Sequence, residues 1–224
     1  MHALQPGKPQ SVTQLIFLPS VITLAVTALR VLGELEHWSR AWFNPDPGGF
    51  LAIMGIVWLV PVFGIYFALK LVSAGERPPS TGHAIGHAIV GLVVLAAGFY
   101  LFQAVIRNLA GLVVMWTLAA LAAMLQFPTW RALFRTLIAY AYAARIPVAV
   151  VMLIASWADW QSHYSTAVPG HSRVPTYFLY GFIPQLVFWV SFTVVVGSLF
   201  GSLTAPLACR RSARGSAQPA REEA

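Results

Sequence analysis

Long apolar runs separated by polar segments extend along almost the whole chain. A helix needs about 20 mostly apolar residues to cross the hydrocarbon core of a bilayer, and six runs qualify. They comprise residues 14–33, 50–70, 84–106, 109–127, 134–157 and 177–207. The pattern predicts an all-α, polytopic membrane protein with about six transmembrane helices, in which residues 14–209 form a single membrane domain.

The segments between and beyond these runs are predicted to be loops and tails rather than soluble domains. Residues 34–49 and 158–176 are rich in Trp, Pro, His and acidic residues, and Trp is typical of membrane interfaces. Residues 1–13 are predicted to be a short N-terminal segment. Residues 210–224 contain Arg, Gly, Ser, Pro and Glu, a composition that predicts a basic, disordered tail.

Composition supports the membrane assignment. Hydrophobic residues make up 58% of the chain and charged residues only 9%, whereas soluble domains have about 25% charged residues. Soluble enzymes, nucleic-acid binders, fibrous proteins and disordered chains are therefore poor descriptions. The net charge of +7 does not suggest a nucleic-acid partner, because the basic residues lie mainly at the ends of the apolar runs. The expected partner is the lipid bilayer.

The distribution of basic residues predicts the orientation, because cytoplasmic loops carry an excess of Lys and Arg. An N-terminus in the cytoplasm places most of them on that side. The cytoplasmic set is then Lys8, Lys70, Arg77, Arg131, Arg135, Arg210, Arg211, Arg214 and Arg221. The opposite set is Arg30, Arg40, Arg107 and Arg173. We therefore predict that both termini are cytoplasmic, in a cell membrane, with a bacterial inner membrane as the expected setting.

Prolines fall within four of the six runs, as Pro19, Pro61, Pro147 and Pro184. A proline inside a helix removes one backbone hydrogen bond and leaves a carbonyl group without its partner, and interrupted helices build midplane sites in many transporters. We predict several proline-kinked helices, which either surround a functional cavity or only shape the bundle. Polar residues that either line such a cavity or hold helices together are Gln103, Thr117, Thr136, Gln185, Ser191 and Thr193.

Arg145 most needs an explanation, because it lies at the middle of the fifth run, where no acidic residue has a similar depth. A charge at this depth costs about 2.5–3.5 kcal/mol on insertion scales and marks a functional site by default. One interpretation is structural: the guanidinium binds carbonyl groups freed by Pro61 and Pro147, or extends to the inner head groups. The other is contact with a substrate, a lipid or a partner subunit. We expect a substrate site at Arg145 with Gln185, Gln103 and Thr117.

Acidic and histidine side chains form a second candidate site, outside the first and fifth runs. Glu34 and His37 are three residues apart, and Asp159 and His163 are four apart, so each pair would share one face of a continuing helix. Neighbouring helix ends would bring the four side chains together as ligands for a divalent metal or as a proton relay. Interface anchoring, with Glu34 paired to Arg30, is the alternative interpretation.

Three further pairs have helical spacing. His83 and His87 could bind a metal from one helix, and Gly82 with Gly86 would instead make this segment a small-residue packing face. Gly197 and Gly201 form a second small-residue pair, suited to packing within the chain or to a homodimer.

The chain contains no phosphate-binding loop, HExxH, GxSxG or DxD motif, and no cofactor is expected. The first functional hypothesis is a small transporter or permease for an anionic or amphipathic solute, working as a homo-oligomer. The alternatives are a non-catalytic subunit or assembly factor of a larger membrane complex, and a membrane-embedded enzyme acting on a lipid or quinone. An enzyme is the less favoured class.

Overall fold

The computed structural model describes residues 11–46 and 53–217, with side chains as far as Leu207. Every regular element in these residues is helical. The first five helices are α1 (Val12–Leu35), α2 (Leu59–Ser73), α3 (Thr81–Tyr100), α4 (Leu109–Met124) and α5 (Arg131–Trp157). They are followed by α6 (Arg173–Tyr177), α7 (Ile183–Leu186) and α8 (Phe188–Ala217). One π-helical turn, Leu101–Val105, follows α3, and another, Phe178–Phe182, follows α6.

Polar side chains cap the first turns of three helices, where backbone N–H groups have no partner within the helix. At the start of α1, the Ser11 hydroxyl accepts a hydrogen bond from the Gln14 N–H, and the Gln14 side chain accepts one from the Ser11 N–H. Ser80 caps α3 and Asn108 caps α4 by the same kind of side-chain contact. These local contacts fix where each apolar run becomes helical.

Four helical stretches in the described part of the chain are long and apolar enough to cross a membrane: Val12–Leu35, Thr81–Val105, Arg131–Trp157 and Arg173–Leu207. The remaining two apolar helices, α2 and α4, have 15 and 16 residues. At 1.5 Å per residue they are about 22 and 24 Å long, which is shorter than a hydrocarbon core of about 30 Å. A membrane protein is thus supported, and six complete spans stay a prediction.

Helix α8 forms the centre of the bundle. It packs against α2, α3, α4 and α5, while α1 packs mainly against α5. Between α2, α5 and α8 lies the largest group of buried apolar side chains, with Phe67, Leu137, Tyr140 and Val194 almost fully enclosed. The side chains exposed on the outer faces of the helices are also largely apolar, as expected where lipid replaces water.

Helices α2 and α8 approach each other closely along the glycine seam, formed by Gly64 of α2 with Gly197 and Gly201 of α8. A Cβ atom added at Gly64 would lie 2.6 Å from the Gly197 carbonyl oxygen. The small-residue pair of α8 therefore packs within the chain, as predicted. The pair in α3 does not, because nothing lies within 4 Å of a Cβ atom added at Gly82 or Gly86.

The prolines are used in different ways. Pro19 and Pro147 lie inside α1 and α5, as the pattern predicts. Pro61 lies in the first turn of α2 because the helix begins only at Leu59, and a first-turn proline removes no helical hydrogen bond. The expectation that Pro61 frees a carbonyl group at the midplane is therefore wrong.

At the other end of the chain, α8 continues to Ala217, into the segment predicted to be disordered. The rest of that tail and residues 1–10 lie outside the described residues.

Candidate functional site

Arg145 lies inside the bundle, on the buried face of α5. Its relative exposure is 4%. The guanidinium stands 4.8 Å from the centre of the Trp189 ring, a cation–π contact, and Nη1 donates to Gln185 Oε1 at 3.4 Å. Arg145 and Gln185, both predicted to bind substrate, are therefore brought together by the packing of α5 against α7.

No carboxylate pairs with Arg145 among the residues that the structure describes. The acidic side chains that form ion pairs do so elsewhere: Glu34 with Arg30 and His163, Asp46 with Arg40, and Asp159 with Arg173. Glu36 and Glu76 are exposed. The guanidinium has five N–H donors, and the described residues supply one acceptor, at the long distance of 3.4 Å.

Arg145 faces a cavity of about 860 Å³. The cavity lies between α5, the α7–α8 region, the start of α2 and residues 163–168. Among its apolar lining residues are Trp58, Pro61, Val148, Met152, Trp189, Phe192 and Val196. Its polar lining residues include Arg30, Arg145, His163, Tyr164, Ser165, Thr166 and Gln185. A cavity of this size encloses a drug-sized molecule.

Gln185 supplies a second hydrogen-bonding group beside Arg145. Its side chain is largely buried, and its Nε2 contacts only the Met152 sulfur, at 3.4 Å, among the described residues. A thioether sulfur is a weak acceptor. The amide N–H groups of Gln185 and the guanidinium of Arg145 therefore both lack strong acceptors, and an oxyanion in the cavity would supply them.

A buried ionic cluster of Arg30, Glu34 and His163 lies beside the cavity, near the ends of α1 and α5, and Arg30 and His163 form part of the cavity wall. The Glu34 side chain is fully enclosed. It accepts from Arg30 Nε at 2.9 Å, from His163 Nδ1 at 2.6 Å and from the His163 backbone N–H at 3.1 Å. Glu34 thus neutralises Arg30 within the cluster, whereas Arg145 has no acidic partner in the part of the chain that the structure describes.

Burial lowers the pKa of His163 below its usual value, even though the hydrogen bond to Glu34 acts in the opposite direction. His163 is therefore neutral at pH 7, and its Nδ1–H donates to the carboxylate. Next to it, burial raises the pKa of Tyr164, so that its hydroxyl stays protonated. Among the described lining residues, Arg30 and Arg145 are charged at neutral pH, and Arg30 is paired with Glu34, so the net charge of this wall is positive.

The predicted metal site is only partly assembled. Glu34 and His163 are in contact, but His37 is exposed and Asp159 is exposed and pairs with Arg173. Within the described ranges, no three side chains of the His, Cys, Asp and Glu types lie together as a group that could hold a metal. His37 and Asp159 have positive φ values of 53° and 51°, just beyond the ends of α1 and α5, so helical spacing no longer applies to them.

The other polar candidates are outside the cavity. Gln103 and Thr117 are exposed, and the Thr117 hydroxyl donates to the Val113 carbonyl group of its own helix. The buried Thr136, Ser191 and Thr193 do not line the cavity. His83 and His87 are also exposed, and His87 Nδ1 lies 2.9 Å from the His83 carbonyl oxygen.

Two cavity residues carry chemistry that the sequence interpretation missed. Trp189 lies one turn after Gln185, so helical spacing alone could have placed both on the face opposite Arg145. Arg30 was assigned only to interface pairing with Glu34, and its position on the cavity wall depends on how α1 packs against α5. Comparisons with protein-family models, curated proteins and solved structures found no match to this chain.

Proposed function

We propose that the protein is a small transporter that binds an anionic or amphipathic solute in the cavity around Arg145. The observation that carries this proposal is a buried arginine, without an acidic partner in the described chain, that faces a cavity of about 860 Å³. Burial of an unpaired charge lowers the stability of the folded state. The presence of such a charge therefore supports a functional role for Arg145. An anion that enters the cavity supplies the missing acceptors.

The orientation of the protein in the membrane, as we propose it, follows from the distribution of Lys and Arg residues. With both termini in the cytoplasm, the cavity lies toward the outer side, where residues 163–168 form part of its wall. Arg145 is twelve residues from the end of α5 at Trp157, or about 18 Å along the helix. The solute therefore meets Arg145 near the middle of the bilayer. A chain of 224 residues is small for alternating access, so we propose a homo-oligomer in the membrane.

The decisive experiment measures anion binding to the purified protein in nanodiscs of uncharged lipid. The signal is the change in intrinsic tryptophan fluorescence, to which Trp58 and Trp189 contribute from the cavity wall. We expect Arg145→Gln to weaken binding at least tenfold, because the amide has no charge. Arg135→Gln is the matched control, since Arg135 lies on the same helix but is exposed and outside this cavity.

Stability and transport must be measured with the same variants. Arg145→Gln should unfold at nearly the wild-type temperature, and it should abolish anion uptake into proteoliposomes. A variant that binds anions normally would overturn the proposal. A variant that fails to fold would indicate a structural Arg145, and a wild type that binds no anion would favour the role of a subunit in a larger complex.

A further inference from the structure

We propose that the solute is an anionic amphiphile, whose acidic head group binds Arg145 and Gln185 and whose apolar part fills the deep end of the cavity. This inference rests on the proposed function and narrows it to one class of molecule. The deep end is defined by Pro61, Phe192 and Val196, which line the cavity beyond Arg145 and Trp189.

The size of the cavity argues against a small inorganic anion. About 860 Å³ lies in the upper part of the range of roughly 300–1,000 Å³ for sites that enclose drug-sized ligands. A phosphate or a short carboxylate would fill a minor part of it. Trp189, Phe192 and Val196 would then stay in contact with water, whereas an apolar group would cover them.

The lining changes from polar to apolar along one helical path. Gln185 is on α7, and the cavity residues that follow it along α8 are Trp189, Phe192 and Val196, all apolar. Val196 is eleven positions after Gln185 in the chain, which corresponds to about 16 Å along a helix. The cavity therefore offers hydrogen-bond donors at one level and an extended apolar surface beyond it, which matches a head group joined to a chain.

The head-group position is defined by donors rather than by charge alone. The planar guanidinium of Arg145 can bind both oxygens of a carboxylate or a phosphate. Gln185 Nε2 can add a third hydrogen bond in place of its weak contact with the Met152 sulfur at 3.4 Å. One cation with one amide suits a single acidic group, because the second arginine of the cavity, Arg30, is already bound to Glu34 at 2.9 Å.

Apolar residues at the rim of the cavity favour entry from the lipid phase. Val57 and Trp58 are 43% and 50% exposed, and Val168 and Tyr180 are 47% and 55% exposed. All four line the cavity. A rim for a water-borne ion would be expected to carry polar side chains, whereas an amphiphile from the bilayer can slide along apolar ones with its chain still covered.

The test is a chain-length series in phosphatidylcholine nanodiscs, with butanoate, octanoate and dodecanoate as probes and dodecanol as the neutral analogue. Bound ligand is counted by native mass spectrometry. Each CH₂ group that enters an apolar site tightens binding about three- to fourfold. We expect Arg145-dependent binding to become at least 100-fold tighter from butanoate to dodecanoate, and we expect dodecanol to bind without dependence on Arg145. Dodecyl phosphate, compared with dodecanoate, identifies the preferred head group.

A second variant locates the chain. Val196→Trp fills the deep end, so we expect dodecanoate binding to weaken at least tenfold and butanoate binding to change less than twofold. Leu203→Trp is the matched control, since Leu203 is on the same helix, is exposed and does not line the cavity. The wild-type series remains decisive if Val196→Trp does not fold.

The outcomes separate this inference from the function on which it rests. Arg145-dependent binding that is equally tight for butanoate and dodecanoate would overturn the amphiphile and leave the anion site intact. Binding that does not depend on Arg145 for any chain length would overturn the proposed function and the amphiphile together.

Discussion

The two halves of α8 differ in their packing: one half lines a cavity, and the other packs tightly against α2. In the first half, from Phe188 to Val196, the side chains of Trp189, Phe192 and Val196 line a cavity. From Gly197 onward, small residues let α2 approach until a Cβ atom at Gly64 would touch the backbone of α8. The first half faces Arg145 of α5, which has no acidic partner among the described residues, and the second half is close-packed.

The comparison indicates that one part of α8 lines the cavity, whereas a different part supplies the close packing that stabilises the bundle. In lipid, helices associate through close packing of small residues, because the bilayer is as apolar as the side chains it replaces. The glycine seam supplies that packing and holds α2 and α8 together below the cavity. The upper half is then free to keep a gap that close packing would have closed.

The largest expected effect comes from breaking the seam with Gly64→Leu. The nearest atoms to the new Cβ belong to the Gly197 backbone, at 2.6 and 2.8 Å, and a backbone cannot rotate away. We expect a loss of more than about 3 kcal/mol in the free energy of unfolding, at or above the upper end for overpacking. Thermal unfolding in detergent measures it.

The matched control for the seam is Gly86→Leu, at a helical glycine with nothing within 4 Å. Because leucine forms helices better than glycine, this variant should be as stable as the wild type or more stable by up to about 1 kcal/mol. Equal destabilisation by the two variants would show that the seam is not the tight region of the bundle.

A smaller effect is expected on the cavity side, from Glu34→Leu. The change removes the only carboxylate of the buried cluster and leaves Arg30 and His163 without their common acceptor. Breaking a buried ion pair in this way should cost about 3 kcal/mol. Asp159→Asn breaks the exposed pair with Arg173 and should cost less than about 1 kcal/mol. Similar losses in chemical unfolding would contradict the buried role of Glu34.

The smallest effect is a pH dependence confined to the cavity half. Burial holds the pKa of His163 below its usual value of about 6.5. Between about pH 6.5 and the lowered pKa, the unfolded chain binds a proton that the folded chain does not. Stability should therefore fall as the pH falls below about 6.5. His163→Gln should flatten this slope, and His83→Gln, at an exposed position, should leave it unchanged.

Hydrogen exchange, measured amide by amide at several pH values, compares the two halves of α8 directly. The residues that form the glycine seam carry no titratable group, so hydrogen exchange there should follow global unfolding at every pH. Amides near His163 should lose protection at low pH, when their exchange is compared with the intrinsic rate at the same pH. A uniform loss of protection along α8 would show that the two halves respond as one unit.

Much of the fold follows from the apolar pattern. The all-helical fold and the packing of Gly197 and Gly201 follow from the apolar pattern and from helical spacing, and they agree with the structure. Arg145, Gln185, Gln103 and Thr117 were expected in one substrate site because they are polar residues within apolar runs. The structure brings together Arg145 and Gln185 and leaves Gln103 and Thr117 exposed outside the cavity. A buried charge needs polar partners or water at its own depth in the membrane, and this requirement limits which residues can lie beside it.

The predictions that differ from the structure depend on where the helices begin and end, which the spacing of residues along the sequence does not reveal. His37 and Asp159 were placed by extending α1 and α5 outward, but both residues lie beyond the helix ends, with φ values of 53° and 51°. Likewise, the second apolar run reads as helical from residue 50, whereas α2 begins only at Leu59. The residues before it, 53–58, instead make bends and turns beside the cavity.

The depth of the cavity has a consequence for the electric field across the membrane. In the proposed orientation, water that filled the cavity would extend to Arg145, about 18 Å from the outer end of α5, within a hydrocarbon core of about 30 Å. Because water has a high dielectric constant, the transmembrane potential would then fall mainly across the close-packed layer around Gly64 and Gly197. An elementary charge that crosses this layer would gain or lose about 2.3 kcal/mol of electrical energy per 100 mV, over a distance much shorter than the thickness of the bilayer.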